Sequence, residues 1–297
     1  MRYYTDSSTL FVSGSFRAAS TGPLGGIRPV PALLNHTVPE GDHPGPEKEL
    51  EFAAAAAGIG SGFLGLTTRV PVGDLCVLQY DFITVFVSAD VPPGPDTGPG
   101  AGGINILVCS REGMTDAALL GTVLVSAEAK AEALLAAGCG TSGMPADAVI
   151  AACEGEVRHT SAGRLTEAGL RVREAVLHGV PAAIRRHEDP ARKDRPAFFV
   201  FSRIGGGHWA EWSPENCPYF PCHFPGQRCD FCYCPFYPCG DETLGQWAES
   251  PGKGRVWNCA RCTLLHEPEV ADYLKGHPGA SLPELVRRKK MQKNAVM

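Results

Sequence analysis

The stretch LCVLQYDFITVFVSA, residues 75–89, decides the fold class of the N-terminal part of the chain. Its β-branched and aromatic residues are typical of strands, so it predicts either one long strand or a hairpin pair. The apolar runs at residues 10–16, 104–109 and 147–153 predict further strands. Before the second of these runs, VPPGPDTGPGAGG at residues 91–103 predicts a loop, because its prolines and glycines do not suit regular structure.

Helical patterns alternate with these strands. Residues 46–58 (PEKELEFAAAAAG) predict a helix, with proline and glutamate in the first turn and glycine at the end. Thr115 is a candidate N-cap for a long helix that ends near Gly138, and residues 165–180 predict another helix. Strands mixed with helices predict a layered α/β or α+β domain with a mixed sheet.

The length of the chain, 297 residues, suits one large and one small domain. The segment HEDPARKDRP is charged, contains two prolines and has no apolar periodicity, which is typical of a linker. From Ala197 onward cysteine, aromatic residues and proline become frequent. We therefore expect a first domain at residues 1–186, a linker at residues 187–196 and a small cysteine-rich domain at residues 197–297.

Charge and hydropathy narrow the choice of partners and compartment. The formal net charge of -5 and the pI near 6.0 argue against a nucleic-acid partner or an anionic membrane surface. No apolar run reaches the length of about eighteen residues that a membrane span needs. The first residues lack the basic start and apolar segment of a signal peptide, which favours a cytoplasmic location. The basic segment RRKKMQK near the end of the sequence is typical of a solvated helix end.

Eight of the twelve cysteines lie in the C-terminal part, and their spacing is typical of metal ligands. Six fall within CPYFPCHFPGQRCDFCYCPFYPC, residues 217–239, and a second CxxC follows at residues 259–262. Each CxxC lets a tight turn direct two sulfurs toward one ion. The predicted ligands are Cys217, Cys222, Cys229, Cys232, Cys234, Cys239, Cys259 and Cys262.

In a reducing compartment these thiols predict a metal site rather than a disulfide framework. Zinc is the expected metal, in closed tetrahedral sites that stabilise a domain whose own core is small. An iron–sulfur cluster uses the same ligands and stays open as the alternative. His223 and His266 lie beside predicted ligands, and either could replace a sulfur.

Standard catalytic signatures do not occur in the N-terminal part. It holds no GxSxG, no GxxxxGK[ST], no HExxH and no GxGxxG between a strand and a helix. Polar clusters remain as candidates. In the first, Gly25 and Gly26 belong to a small-residue loop that would let backbone amides approach a ligand, and Asn35 and His36 follow. A plain glycine-rich turn is the alternative interpretation.

Two further polar clusters follow along the chain. Gly102 and Gly103 precede Asn105, whose amide begins an apolar strand and must find hydrogen-bond partners. Farther on, an apolar helix acquires Glu128 and Lys130, which point about 200° apart around the helix axis. A solvated helix end is the alternative explanation of these charges.

Taken in order, these clusters resemble the adenosylcobinamide amidohydrolase family over about residues 5–183. The segments that carry the resemblance are SFRAASTGPLGGI, NHTV, GGINILV, SAEAKAEALLAAG, SGMPADAVIAA and SAGRLTEAGLRVREAV. The C-terminal part resembles the cysteine-rich small domain that is found fused to this family. The segments NCPYFPCHF, CDFCYCPFYPC and VWNCARCTLLHEPEV carry that second resemblance.

The resemblance implies cleavage of the amide that joins aminopropanol to the corrinoid ring of adenosylcobinamide, with water as the other substrate. On the matched motifs, Glu128 is expected to act as general base or acid, and Lys130 and Asn105 as donors near the carbonyl. Asp147 is expected to orient or relay a proton. The residues expected to contact the substrate are Asn35, His36, Gly25, Gly26, Gly102 and Gly103. No organic cofactor beyond the corrinoid substrate is expected.

The chain departs from the family pattern at positions where hydroxyl-bearing or small residues are expected. Ala127 and Gly103 stand where the family has threonine, and residues 143–147 read GMPAD in place of a threonine-rich stretch. Asp90 ends a strand where the family has glycine. Two alternatives to hydrolysis therefore stay open: a corrinoid-binding or metal-handling protein without activity, and an iron–sulfur redox module fused to a corrinoid-binding domain.

Overall fold

The protein is described by a computed structural model and divides into two compact units. The first unit comprises Met1 and Tyr3–Trp212, and the second comprises Arg2 and Ser213–Met297. The structure describes residues 1–6, 8–39, 44–92, 102–191, 193, 195–202, 206–212, 217, 220–232, 234–250, 254–277 and 279–295. Most of the predicted loop at residues 91–103 therefore lies outside the described residues.

Strands of the first unit alternate with helices along the chain. The strands are β1 (Arg2–Thr5), β2 (Thr9–Ser20), β3 (Gly26–Thr37), β4 (Leu64–Thr68), β5 (Cys76–Tyr80), β6 (Ile83–Asp90), β7 (Gly103–Ser110), β8 (Gly113–Met114), β9 (Ala148–Cys153), β10 (Val157–His159), β11 (Ala197–Ser202) and β12 (His208–Trp212). The helices are α1 (Pro46–Ala56), α2 (Asp116–Ala136) and α3 (Glu167–Glu188).

The quoted stretch forms a hairpin, which was one of its two predicted forms. Cys76 pairs with Val87 and Tyr80 with Ile83, so β5 and β6 run antiparallel. The turn between them contains Asp81, whose φ of 51° lies in the left-handed region that aspartate tolerates better than most residues. This hairpin lies near the middle of the main sheet.

The main sheet of the described residues has the strand order β12-β11-β5-β6-β7-β9-β2-β3-β4, and β1 pairs with β2. The pairs β11–β5, β7–β9 and β3–β4 are parallel, whereas the others on this path are antiparallel. The sheet is therefore mixed, and the predicted layered α/β class is confirmed.

The sheet folds over itself, so that side chains from its two halves face each other and form one apolar core. Leu33 of β3 and Leu66 of β4 lie in the same buried cluster as Phe86 of β6 and Leu107 of β7. On the outer face of β6 and β7 a second cluster packs against α2 and α3. A third cluster joins α1 to the outer face of β2 and β3. The layers are thus helix, strand, strand and helix.

The caps of the two long helices follow their sequence signals. The hydroxyl of Thr115 accepts a hydrogen bond from the Ala118 amide, as predicted for the N-cap of α2. Thr166 caps α3 in the same way through the Gly169 amide. The helix α3 extends eight residues beyond its predicted end at residue 180, to Glu188. No helix among the described residues is long and apolar enough to cross a membrane.

The segment predicted to link the two domains is divided between helix and sheet. His187 and Glu188 still belong to α3, and Ala197 already begins β11, which pairs in parallel with β5. The antiparallel pair β11–β12 then extends the main sheet. The first compact unit therefore reaches Trp212, past the predicted start of the small domain at residue 197. Sheet pairing decides this boundary, and the change in composition does not mark it.

The second unit holds a two-stranded hairpin, two helices and irregular segments that carry the cysteines. Its elements are β13 (Gln246–Ser250), β14 (Gly254–Asn258), α4 (Pro268–Gly276) and α5 (Leu282–Ala295). A small apolar core joins Leu264, Leu265, Val270, Leu274 and Leu285. The described part of this unit is thus a small cysteine-rich domain with a limited core of its own.

Candidate active site

Predicted site residues gather at one edge of the main sheet. The parallel strands β7 and β9 begin side by side, with Asn105 opposite Ala148. We refer to the end of the sheet where β7 and β9 begin as the amino edge. The turn between β2 and β3 lies at the same edge, because Ser20 pairs with Ile150 on one side and with Gly26 on the other.

Lys130 and Asp147 form an ion pair at the amino edge. Lys130 is buried on the face of α2 that packs toward the sheet. The carboxylate is fixed from three directions: its Oδ1 accepts from the Ile104 amide at 2.8 Å, and its Oδ2 meets both Lys130 Nζ and the Met144 amide. The lysine therefore presents a localised positive charge close to the start of β7.

A glycine makes room for this ion pair. A Cβ at Gly143 would lie 2.6 Å from Lys130 Nζ and 2.9 Å from an Asp147 oxygen. Because both contacts are shorter than ordinary Cβ contacts, a side chain at this position would displace the lysine, the carboxylate or the loop.

A buried amide network lies on the inner face of the folded sheet. Asn105 Nδ2 donates to Asn35 Oδ1 and to the Thr67 carbonyl, each at 2.8 Å. Asn35 Nδ2 donates to Ser88 Oγ at 3.0 Å. Both hydrogens of the amide that the sequence requires to be partnered are thus bonded, and they join β7 to strands that are distant along the sheet.

The predicted glycines border the same edge. Gly102 has a φ of +72°, and a Cβ there would lie 2.6 Å from the Asp90 carbonyl oxygen. Gly103 packs 3.0 Å from the Cβ of Ala146 by the same measure. Gly26 has a φ of +108°, so it too adopts backbone geometry that favours glycine. Gly25 lies in the preceding turn.

Two predicted site residues stand apart from this group. Glu128 is exposed on α2, and among the described residues it makes no hydrogen bond or ion pair. His36 follows Asn35 on β3 and so points to the opposite face. There its Nδ1 lies 2.7 Å from Thr9 Oγ1, and its Nε2 lies 3.7 Å from Glu49. Burial lowers the pKa of His36, and the Glu49 carboxylate partly opposes that shift.

Sequence reasoning missed a second polar group near this edge. His187 Nδ1 lies 2.9 Å from Asp74 Oδ2, and His187 Nε2 lies 3.9 Å from Asp90 Oδ1. His187 was assigned to the predicted linker, and Asp74 lies in a short 3₁₀ turn before β5. Because the three residues are far apart in sequence, no local spacing signals the cluster.

The predicted metal ligands of the second unit lie in two tight turns and two flanking pairs. The Cys232 amide donates to the Cys229 carbonyl at 3.1 Å, and the Cys262 amide donates to the Cys259 carbonyl at 2.9 Å. Both CxxC segments thus form the turn expected of a metal-binding pair. All twelve cysteines have free thiols.

A buried glutamine supports the thiols nearest the first turn. Gln227 Nε2 donates to Cys229 Sγ at 3.1 Å and to Cys222 Sγ at 3.4 Å. Its Oε1 accepts from the His223 amide at 2.8 Å, which fixes the orientation of the side chain. Amide donors directed at sulfur suit thiolate, the form of cysteine that binds metal.

Five cysteines line a cavity of about 220 Å³ together with His266 and Trp257, namely Cys232, Cys234, Cys239, Cys259 and Cys262. Burial raises the pKa of Cys234 to about 12, and the nearby thiols of Cys262, Cys259 and Cys239 add to the shift. Burial likewise raises the pKa of Cys232 to about 11.

The thiols that add to the rise in the pKa of Cys232 differ from those around Cys234; they are Cys229, Cys222 and Cys217. The eight cysteines therefore fall into two groups of four. No three histidine, cysteine, aspartate or glutamate side chains of the described residues already stand as a group that could hold an ion. An ion would have to draw the thiols of each group together.

Comparison with known proteins matches both units. The family described as adenosylcobinamide amidohydrolase matches residues 5–191, and the family described as cysteine-rich small domain matches residues 208–290. An adenosylcobinamide amidohydrolase of Methanosarcina mazei is 35% identical over 195 residues, which are 62% of this chain and 98% of the relative. No solved structure matches the chain.

Two shorter matches involve archaeal proteins of other descriptions. An uncharacterized protein of Methanocaldococcus jannaschii is 52% identical over 57 residues, which are 19% of this chain and 48% of that protein. A probable cobalt-factor III C(17)-methyltransferase of Methanothermobacter thermautotrophicus is 48% identical over 62 residues, 20% of this chain and 17% of that protein.

The first family covers more than half of the chain, and the Methanosarcina relative is matched over almost its whole length. The chain therefore belongs to the adenosylcobinamide amidohydrolase family and is a hydrolase that acts on an amide bond.

Proposed function

We propose that the protein hydrolyses the amide that joins aminopropanol to the corrin ring of adenosylcobinamide, giving adenosylcobyric acid and 1-amino-2-propanol. One observation carries the proposal: an ion-paired lysine and a buried amide network lie at the start of the same strand, β7. A corrinoid bears peripheral amides, and this edge offers a cation and amide groups to receive them. The family match supports the choice of substrate.

Amide hydrolysis needs an attacking water, donors for the developing oxyanion and a proton for the departing amine. Lys130 is the donor for the carbonyl oxygen, and Asp147 holds it in place. Both hydrogens of the Asn105 amide are already bonded, so Asn105 donates to a substrate only in exchange for one of those bonds. The glycine backbones shape the surface that receives the peripheral amides, and the buried Asn35 holds Asn105 in place.

Incubation of the purified full chain with adenosylcobinamide tests the proposal directly. Mass spectrometry of the products should show adenosylcobyric acid and 1-amino-2-propanol in equal amounts. The Lys130→Met variant should release both products much more slowly, because the cation at the carbonyl is lost. Tight binding of adenosylcobinamide without any product would instead support a corrinoid-binding protein that lacks hydrolytic activity.

We infer that the second unit binds two structural zinc ions through its two groups of four cysteines. The first group is Cys217, Cys222, Cys229 and Cys232, and the second is Cys234, Cys239, Cys259 and Cys262. Each group joins one CxxC turn to one pair with four intervening residues, CPYFPC or CPFYPC. The tight turns and the Gln227 amide directed at two sulfurs support the assignment.

Zinc would contribute stability where the apolar core is small, because binding free energy becomes folding free energy when the empty site is not preformed. The protein would then reside in the cytoplasm, where thiols stay reduced and available to metal. Elemental analysis of the purified chain should give two zinc ions per chain and no iron.

A paired substitution tests how the ligands are divided. The double variant Cys259→Ser with Cys262→Ser should retain one zinc ion, whereas Cys139→Ser, in the first unit, should retain two. A brown preparation that contains iron and absorbs near the 400 nm region typical of iron–sulfur clusters would overturn the zinc assignment in favour of the cluster.

A further inference from the structure

An aspartate–histidine pair lies near the amino edge, outside the residues that the family motifs single out. His187, close to the end of α3, directs Nδ1 to Asp74 Oδ2 at 2.9 Å. The Asp74 side chain is 11% exposed and the His187 side chain 29% exposed, so the carboxylate is shielded while the ring is partly open. In the tautomer whose proton is on Nδ1, that nitrogen donates to the Asp74 carboxylate and Nε2 is left as an acceptor.

The turn that carries Asp74 is held rigidly. Arg186 Nε donates to the Gly73 carbonyl at 3.1 Å, which ties the turn to α3 itself. A Cβ at Gly73 would lie 2.1 Å from the Lys193 carbonyl oxygen, so only glycine fits between the turn and the segment that follows α3. The position of the Asp74 turn relative to α3 is therefore set by backbone contacts.

Nε2 of His187 faces Asp90 at the amino edge of the sheet. It lies 3.9 Å from Asp90 Oδ1, at the end of β6. Asp90 and Ser88 are two residues apart and so share one face of β6, and Ser88 is the partner of Asn35. A separation of 3.9 Å is too long for a hydrogen bond, but a single water can bridge two atoms at that distance.

We propose that His187 is the general base of the hydrolysis, with Asp74 as its orienting carboxylate and Asp90 as the second acceptor that holds the attacking water. The inference rests on the proposed function. The water donates one hydrogen to His187 Nε2 and the other to Asp90, which leaves a lone pair free for attack.

The reaction then balances as follows. The water oxygen bonds to the amide carbon as its proton moves to Nε2, and the carbonyl electron pair moves to the oxygen that faces Lys130. When that pair returns, the carbon–nitrogen bond breaks and the nitrogen takes the proton from Nε2. The products are a carboxylic acid, ionised at neutral pH, and an amine, and His187 is again neutral.

The charged groups around His187 lie in the turn before β5, on β6, after α3 and on α3 itself. Asp74 in the turn before β5 and Asp90 on β6 are acidic. Lys193, after α3, lies 3.9 Å from Asp74 Oδ1 and shares that carboxylate. Arg186, on α3 itself, uses its guanidinium on backbone carbonyls.

The test compares the pH dependence of aminopropanol release by wild type, His187→Gln and Asp74→Asn. The wild-type kcat/KM should fall on the acid side as the base becomes protonated. In H187Q, kcat should drop about 10²- to 10⁴-fold and this acid limb should disappear. In D74N the limb should move to lower pH, because loss of the carboxylate charge favours the neutral ring.

His159→Gln is the matched control. His159 Nε2 also contacts a carboxylate, Glu112 Oε2 at 2.8 Å, but near the opposite end of β7. The control should keep kcat and the acid limb close to wild type. If H187Q does not fold, D74N decides, because it keeps the imidazole and changes only its partner.

The outcomes distinguish a failure of the proposed function from a failure of the role of His187 alone. Wild-type protein that releases no aminopropanol overturns the proposed function together with this inference. Wild-type activity that His187→Gln leaves unchanged, or an acid limb that Asp74→Asn does not move, overturns the role of His187 alone.

Discussion

Lys130 Nζ and Asp147 Oδ2 form an ion pair whose side chains are only 11% and 14% exposed. The carboxylate also accepts the amides of Ile104 and Met144, so it connects α2 to the starts of β7 and β9. The ion pair thus positions the proposed oxyanion donor and ties α2 to the amino edge of the sheet.

Substitution Asp147→Ala should lower both stability and turnover. It leaves a nearly buried lysine and two backbone amides without their acceptor, and we expect a loss of about 3 kcal/mol in the free energy of unfolding. Urea denaturation measures the loss, and product release measures turnover. Asp116→Ala is the control, because its pair with Arg17 is about half exposed, and only a small change in stability is expected. Equal losses in both variants would contradict the central position of Asp147.

Substitution Gly143→Ala should displace the ion pair without removing either charge. The new methyl group would lie 2.6 Å from Lys130 Nζ, so the lysine must move or the loop must open. We expect a loss of about 1–3 kcal/mol in stability and a clear fall in kcat.

Gly60→Ala is the matched control, because a Cβ there has nothing within 4 Å. It should leave stability and kcat close to wild type. If G143A had the same stability and kcat as G60A, the ion pair of Lys130 and Asp147 would have more freedom than its contacts indicate.

Substitution Glu128→Gln should have little effect on turnover. The family motif predicts an acid–base role for Glu128, but the side chain is exposed, and at about 200° around α2 from Lys130 it faces away from the pair. We expect aminopropanol release within about twofold of wild type. A large loss of kcat with unchanged thermal stability would restore Glu128 as a catalytic group and require a different arrangement around α2.

His36 should make stability fall as pH is lowered. Burial lowers the pKa of His36 in the folded protein below its ordinary value near 6.5. As the pH falls through the ordinary value near 6.5, the unfolded chain takes up a proton at His36 that the folded chain does not. Lowering the pH therefore favours unfolding. The slope from this group is at most about 1.4 kcal/mol per pH unit.

Urea denaturation between pH 7.5 and pH 5 measures this effect, and His36→Gln should show a smaller loss over the same range. Parallel stability curves for the two proteins would assign the acid sensitivity to other groups.

Local sequence signals predicted those helices and strands that depend on side chains within the same segment. The predicted cap Thr115 lies at the start of α2, and the β-branched run at residues 75–89 forms the β5–β6 hairpin. The strand β3 was not predicted, because Pro29 and Pro31 argue against a central strand. Both prolines precede Leu33, where pairing with β4 begins, so they lie where β3 has a partner on one side.

The residues of the candidate site were likewise predicted only in part from the sequence. Motif order indicated Lys130, Asp147, Asn105 and Asn35, because these residues lie in segments that resemble the family. The spacing of the cysteines likewise indicated the two tight turns of the second unit. The sequence could not show that Glu128 faces solvent, because both a catalytic and a solvated glutamate occur in such a helix.

The sequence by itself determined the fold class, the family and the cysteine-rich unit, since periodicity, caps and short-range spacing are local properties. Only the tertiary structure decided that Asn35 meets Asn105, that the sheet continues to Trp212, and that Asp74, Asp90 and His187 converge. These side-chain contacts join residues 70 to 113 positions apart, and they depend on how the sheet folds over and where α3 ends. That geometry arises from packing between layers, which no short stretch of sequence encodes.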